Sequence, residues 1–128
     1  MKPLIIKDTP FSPTVCFDAN RNLFEIKGSS RPENAVEFYS PVFTWLNTFK
    51  KVTISDSKAV LNFIFYFDYL NSISVKLIFD VFKVIEGLNN PMRPITITWN
   101  YNKGDTDMKE TGEEYQKLVK LPFSIVAK

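Results

Sequence analysis

The sequence predicts an α/β fold (an α+β mixed sheet), a single-layer mixed β-sheet with helices packed on it. Three observations predict it: short strand-like segments fill the first thirty residues, strand-like and helical periods alternate afterwards, and 45% of the residues are hydrophobic. The predicted element order is β-β-β-α-β-α-β-α. A chain of 128 residues has the length of one domain, which we expect to span residues 1–128.

Three short strands are predicted first, at Leu4 to Lys7, Thr14 to Asp18 and Leu23 to Lys27. The turn "DANRN" between the last two is rich in Asn and Asp, which tolerate positive φ. The three strands should therefore form an antiparallel meander, and Gly28 is expected to close the third strand.

The segment "SSRPEN" is predicted to open the first helix, with Ser30 as its cap, Pro32 in the first turn and Glu33 near the positive end of the helix dipole. Pro41 lacks a backbone donor, so a kink or two short helices meeting near Ser40 are expected. The apolar face predicted to cover the sheet consists of Ala35, Val36, Phe38, Tyr39, Val42, Phe43, Trp45, Leu46 and Phe49.

Strict alternation from Ala59 to Tyr69 predicts a central strand with Tyr69 on the same face as Phe63, Phe65 and Phe67. The period then becomes helical from about Ile73 to Glu86, and Gly87 is expected to stop that helix. A second helix-forming segment thus separates this strand from the next one.

"PITITWNY" alternates again and predicts a strand that is parallel to the central one, joined by a right-handed crossover. After Gly104, "DTDMKETGEEYQKLVKL" predicts a terminal helix with an acidic start, and Pro122 marks its end.

Composition excludes several classes of function. Sixteen basic against 14 acidic residues are too balanced for a dedicated nucleic-acid binder, and no apolar run is long enough to insert into a membrane. The start of the chain lacks the apolar core of a signal peptide, so a cytoplasmic location is expected. Without His, and with Cys16 as the single Cys, zinc clusters and nucleophile-histidine catalysis are ruled out. Cys16 is expected to be a buried or half-buried hydrophobe.

Five acidic residues near the last helix allow two interpretations. Carboxylates bind hard cations, but their spacing does not match a calcium loop. Asp105 as a helix cap and Asp107 near the positive helix end explain much of the group, so no metal is expected there. The group consists of Asp105, Asp107, Glu110, Glu113 and Glu114.

The segment "YLNSISVK", residues 69–76, lies between the aromatic strand and the second helix. Asn71 or Ser72 could cap the helix, and this structural role needs no further function. A hydroxyl at this position also suits a regulatory phosphate, because its charge would meet the positive end of the helix without unfolding the domain.

Three stretches stand out as a set: "GSSRPENAVEFYSPVFTWL" (residues 28–46), "FYFDYLNSISVKLIFDVF" (65–82) and "WNYNKGDTDMKETGEEY" (99–115). In this order they resemble the SiaC family of bacterial regulatory phosphoproteins, long catalogued as a domain of unknown function. The resemblance spans almost the whole chain. It implies a SiaC-like domain with a fold similar to anti-anti-sigma (STAS-like) domains.

The resemblance also implies a non-enzymatic switch without a cofactor. A partner Ser/Thr protein kinase would phosphorylate it, a PP2C-type phosphatase would reverse this, and the unmodified form would bind and regulate an effector such as a diguanylate cyclase. The family acceptor follows Asn in a motif usually written Asn-Thr-Ser-Ser, which maps onto Ser72. Ser72 stands for the usual Thr and Ile73 for the next Ser, so Ser74 is a second candidate acceptor.

The expected partner face combines the strand end, the second helix and the "SSRPEN" loop around Ser72. Two other classes fit the sequence: a constitutive interaction scaffold that ignores Ser72, and a small-molecule-binding domain or enzyme that uses carboxylates, Lys, Tyr or Cys16. The motif residues expected to face partners are Tyr69, Asn71, Lys76, Ser30, Pro32, Glu33, Asn34, Asp105, Asp107 and Glu110.

Overall fold

A computed structural model describes residues 1–52 and 59–128 of the chain. In these residues, six strands form one sheet in the sequential order β1 to β6, and three helices follow β3, β4 and β5. A short 3₁₀ turn at Ala19–Arg21 joins β2 to β3. The elements are β1 Leu4–Ile6, β2 Thr14–Asp18, β3 Leu23–Ser30, α1 Ala35–Lys50, β4 Leu61–Leu70, α2 Ser72–Glu86, β5 Ile95–Tyr101, α3 Thr106–Leu118 and β6 Phe123–Ala127.

The sheet is mixed, as the sequence predicts. The first three strands form an antiparallel meander, and β3, β4, β5 and β6 run parallel to one another. The predicted parallel pairing of the central strand with the strand after α2 is therefore confirmed. Each parallel connection contains one helix, as parallel neighbours require.

The sixth strand is absent from the predicted order, which ended at a helix. In β6, Phe123 and Ile125 pack against the core while Ser124 and Val126 are exposed. The alternation covers only a few residues, and β6 pairs with β5 on one side only. A short edge strand of this kind gives a weak sequence signal, because tertiary pairing decides its conformation.

One hydrophobic core lies between the helices and one face of the sheet. Phe63, Phe65 and Phe67 of β4 are buried, whereas the alternating residues Ile64 and Tyr66 keep partial solvent access on the other face. All three helices contribute buried side chains to the same cluster. The sheet face that the helices cover is therefore the one that the period-two pattern predicted.

The first helix begins later than predicted. Asn34 is its cap, with Oδ1 accepting a hydrogen bond from the Glu37 backbone N–H (3.1 Å), whereas Ser30 is the last residue of β3. The prediction of Ser30 as the cap was wrong, because the strand continues through Gly28, which adopts a φ of +124°. Pro41 lies inside a single helix, so the alternative of two short helices is not realised.

A β-bulge near the end of β4 corrects the predicted position of Tyr69. Gly28 pairs with Phe67 and Ser29 pairs with Tyr69, which leaves Asp68 as an extra residue in β4. An extra residue exchanges the two faces of a strand beyond it. Tyr69, which strict alternation places on the same face as Phe67, is consequently 51% exposed.

The predicted roles of Gly87 and Cys16 are confirmed. Gly87 is the C-terminal cap residue of α2, and Cys16 is half-buried. None of the helices in the described part of the chain is long and apolar enough to span a membrane.

Candidate functional site

The helix starts meet at one edge of the sheet. Because β3, β4 and β5 are parallel, their carboxyl ends lie side by side, and each leads directly into a helix. The connecting segments are residues 31–34, 71 and 102–105.

Asn71 caps the second helix, and it is one of the two residues that the sequence predicted for this role. Its Oδ1 accepts a hydrogen bond from the Ser74 backbone N–H (2.9 Å), and its carbonyl oxygen accepts one from Val75 N–H (2.9 Å). Ser72 is the first helical residue, and its side chain is exposed. The cap therefore leaves the Ser72 hydroxyl accessible to solvent.

Replacing Asn71 by Ala is expected to lower the free energy of unfolding by about 1 kcal/mol, because the Ser74 N–H loses its acceptor. Urea unfolding monitored by circular dichroism would measure this loss. Asn71→Asp is the matched control: it keeps a side-chain oxygen and should cost less than about 0.5 kcal/mol. Equal losses in both variants would mean that the cap bond adds nothing to stability.

Ser74 lies in the same turn as Ser72 but has the opposite environment. Its side chain is fully buried, and its Oγ accepts a hydrogen bond from Ser30 Oγ–H (2.8 Å). Ser30 Oγ is also 2.6 Å from the hydroxyl of Tyr39 in α1. Since Ser30 has one hydroxyl hydrogen and gives it to Ser74, Tyr39 must donate to Ser30. Ser30 is thus part of a buried hydroxyl chain, whereas the sequence predicted that it faces partners.

A second tyrosine reaches the same turn from α3. The hydroxyl of Tyr115 donates to the carbonyl oxygen of Val75 (2.6 Å). Burial raises the pKa of Tyr115, with a smaller contribution from Tyr39, and burial likewise raises the pKa of Tyr39. Both phenols therefore remain protonated donors at neutral pH.

An apolar groove adjoins the start of α2. Pro32, Glu33 and Asn34 line it together with Ile73 and Val36. Ile73 is 59% exposed and Val36 is 65% exposed, although Val36 was predicted to face the sheet. The apolar residues of α1 extend further around the helix than the sheet covers, so Val36 is left in solvent. Contiguous exposed apolar side chains of this kind are typical of protein interaction sites.

The acidic group begins at the cap of α3 and continues along that helix. Asp105 caps α3, its Oδ1 accepting from Met108 N–H (3.0 Å), which confirms the predicted cap. Asp107 and Glu110 line a shallow depression along α3 and do not line the groove beside Ile73. In residues 1–52 and 59–128 no three acidic or cysteine side chains converge to hold a metal ion.

Lys76 follows Ser72 by one helical turn. Its Nζ is exposed and forms an ion pair with Asp80 Oδ2 (3.3 Å). The pair is an ordinary i,i+4 surface pair and contributes little to stability.

Some of the residues predicted for the site lie together in the structure, and two further residues join them that the sequence did not predict. Pro32, Glu33 and Asn34 share the groove with Ile73, the neighbour of Ser72. Tyr39 and Tyr115 were missed, because helical periodicity treats a tyrosine as one more apolar residue. A tyrosine at a position where phenylalanine would fill the core can indicate a buried hydrogen bond, because a buried hydroxyl needs a hydrogen-bond partner.

Comparisons with known proteins found similar proteins. A family model described as SiaC family regulatory phosphoprotein matches residues 6–128. An uncharacterized protein of Pseudomonas aeruginosa (strain UCBPP-PA14) is 28% identical over 127 residues, which cover 99% of this chain and 98% of that protein.

Solved structures are also similar. SiaC of Pseudomonas aeruginosa has a TM-score of 0.84 and 27% identity, with both chains covered completely. A crystal structure of diguanylate cyclase SiaD in complex with its activator SiaC, from the same organism, matches with a TM-score of 0.84 and 27% identity over 98% of this chain and 99% of that chain.

Proposed function

The chain belongs to the SiaC family of regulatory phosphoproteins, and from this membership we propose that it is a switch controlled by phosphate on Ser72. The unmodified form binds and activates a diguanylate cyclase, and the phosphorylated form does not. A Ser/Thr kinase adds the phosphate and a PP2C-type phosphatase removes it. The protein acts by binding and performs no catalysis of its own, in the cytoplasm where its effector makes its product.

The exposure of Ser72 at the start of α2 is the observation that carries the proposal. Its hydroxyl is accessible, while the hydroxyl of Ser74 two residues later is buried and hydrogen-bonded. A kinase could reach Ser74 only after the turn opened and the bond from Ser30 broke. Accessibility therefore favours Ser72 over Ser74 as the acceptor.

The effector is proposed to bind over the groove beside Ser72. Tyr69 lies three residues before Ser72, Ile73 follows it directly, and both side chains are largely exposed. The groove runs from Ile73 to Val36. Burying apolar side chains favours association by roughly 25 cal/mol per Å². Similarity to the SiaC chain crystallised with the cyclase SiaD supports a cyclase as the effector.

The phosphate opposes this association for two reasons. It adds about −1.5 to −2 charges at neutral pH, which must lose water when an effector covers them. The start of α2 stabilises the phosphate on the free protein, because backbone N–H groups and the helix dipole favour an anion there. Modification therefore lowers the free energy of the unbound state and raises that of the complex.

Intact-protein mass spectrometry with site mapping tests the acceptor. The chain and its Ser72→Ala and Ser74→Ala variants would be purified from their own host with phosphatases inhibited. We expect one phosphate on the unaltered chain and on Ser74→Ala, and none on Ser72→Ala. Persistent labelling of Ser72→Ala would move the acceptor elsewhere, and an unlabelled chain in the presence of active kinase would favour a constitutive scaffold.

A further inference from the structure

We propose that Tyr39 and Tyr115 are positioning residues that hold the first turn of α2, and with it Ser72, in one fixed geometry. The inference rests on the proposed role of Ser72 and extends it to two side chains beneath the surface. Both tyrosines are almost completely buried, so neither can contact an effector directly in this conformation.

The first connection comes from α1. Tyr39 donates to Ser30, and Ser30 donates to Ser74, so a chain of hydroxyl groups joins α1, the end of β3 and the first turn of α2. A backbone bond from Asn71 N–H to the Ser30 carbonyl oxygen (3.0 Å) runs beside it. The residue before Ser72 and the residue two positions after it are thus both attached to Ser30.

The second connection comes from α3. The Tyr115 hydroxyl donates to the Val75 carbonyl oxygen, which has a second lone pair for its helical partner. The turn that carries Ser72 is therefore bonded to two other helices through buried groups. Hydrogen bonds in a dry interior are stronger than those at the surface, and losing a partner leaves the other group unsatisfied.

A turn held in this way gives Ser72 a fixed position before any partner binds. Ordering a mobile turn on binding would cost conformational entropy and weaken the complex. Because this turn is already ordered, the effector binds without that cost. A phosphate on Ser72 likewise adds charge at a defined point on the surface and leaves the turn folded. Because the two tyrosines keep the turn folded, the phosphate acts by changing the surface charge and not by unfolding the turn.

Amide hydrogen exchange measured by NMR on the full chain tests the inference. In Tyr39→Phe and Tyr115→Phe, each of which removes one oxygen atom, the Ser74 and Val75 amides should exchange roughly tenfold faster. Amides in the middle of β5 should change only as much as global stability does. The two single variants test the two connections separately, so failure of one to fold leaves the other as the test.

Tyr66→Phe is the matched control. The Tyr66 hydroxyl donates to Asn102 Oδ1 (2.5 Å) from the sheet face opposite the helices. The Tyr66→Phe change removes a comparable hydrogen bond that does not involve α2. The exchange rates of the Ser74 and Val75 amides should therefore stay unchanged. Equal exchange at these two amides in all three variants would overturn the inference.

A binding experiment gives a second readout. The unphosphorylated Tyr115→Phe variant should bind a diguanylate cyclase from the same host roughly three- to tenfold more weakly than the unaltered chain, while Tyr66→Phe binds equally well. Unchanged affinity together with unchanged exchange would refute the positioning role. If the unaltered chain binds no cyclase, the proposed function fails, and the exchange experiment still decides whether the tyrosines hold the turn.

Discussion

Phosphate on Ser72 is expected to weaken binding of the diguanylate cyclase by about a hundredfold or more. This corresponds to about 2.8 kcal/mol, since each 1.4 kcal/mol changes affinity tenfold. An effector that covers the groove would bury this charge beside the exposed apolar side chain of Ile73, which offers a phosphate no hydrogen-bond donor. Titration calorimetry with unmodified and phosphorylated chain would measure the difference.

The Ser72→Ala variant separates the charge from the loss of the hydroxyl. Ser72 is exposed and Asn71 provides the helix cap, so removing one oxygen atom should leave cyclase affinity within about threefold of that of the unaltered chain. Treatment of this variant with the kinase should not release the cyclase. Equal affinity of the phosphorylated and unmodified chains would contradict the switch and support a scaffold that ignores Ser72.

Replacing Gly112 by Ala is expected to destabilise the fold by about 2 kcal/mol or more. A methyl group at this position would lie 2.6 Å from Nε1 of Trp99 and closer still to Cδ1. Trp99 is fully buried, and its Nε1–H donates to the Met108 carbonyl oxygen (3.1 Å), so the indole cannot move without losing this bond. Overpacking usually costs about 1–3 kcal/mol, and a contact this close to a fully buried ring puts the cost at or above the upper end of that range, so about 2 kcal/mol of destabilisation remains after the gain of about 1 kcal/mol in helix propensity.

Gly87→Ala is the control for the Gly112 prediction. Gly87 follows α2 with ordinary helical angles (φ −67°, ψ −14°), and an added methyl would contact only the Val84 carbonyl oxygen and Lys50. This variant should change stability by less than about 0.5 kcal/mol. Thermal or urea unfolding of both variants would measure the contrast, and equal stability of the two would show that α3 can shift away from Trp99.

Local rules predicted most of the secondary structure correctly. Helix capping depends on a few neighbouring residues, and both Asn71 and Asp105 cap the helices that follow them. The alternation of residues in β4 is also a local pattern, and it predicted the buried phenylalanines of that strand. Ser30 failed as a predicted cap because Asn34 satisfies the same local rule and the strand extends to Ser30.

The position of Tyr69 required tertiary information. Nothing in "YFDYL" marks Asp68 as an extra residue; the bulge appears only when β3 and β4 pair. Once it forms, it moves Tyr69 from the core side to the solvent side. Alternation alone places Tyr69 on the core side, whereas the bulge leaves this large side chain exposed near Ser72.

The sequence by itself determined five of the six strands, the three helices of the described residues and the capped start of α2, because these depend on residues within a turn or two of one another. The candidate acceptor Ser72 came from the resemblance to the SiaC family. Tertiary structure alone decided which hydroxyl is exposed and which is buried. Ser30 and Ser74 are 44 residues apart, and Tyr115 and Val75 are 40 residues apart. Such pairs meet only when strand register and helix packing are set together, so no local pattern encodes them.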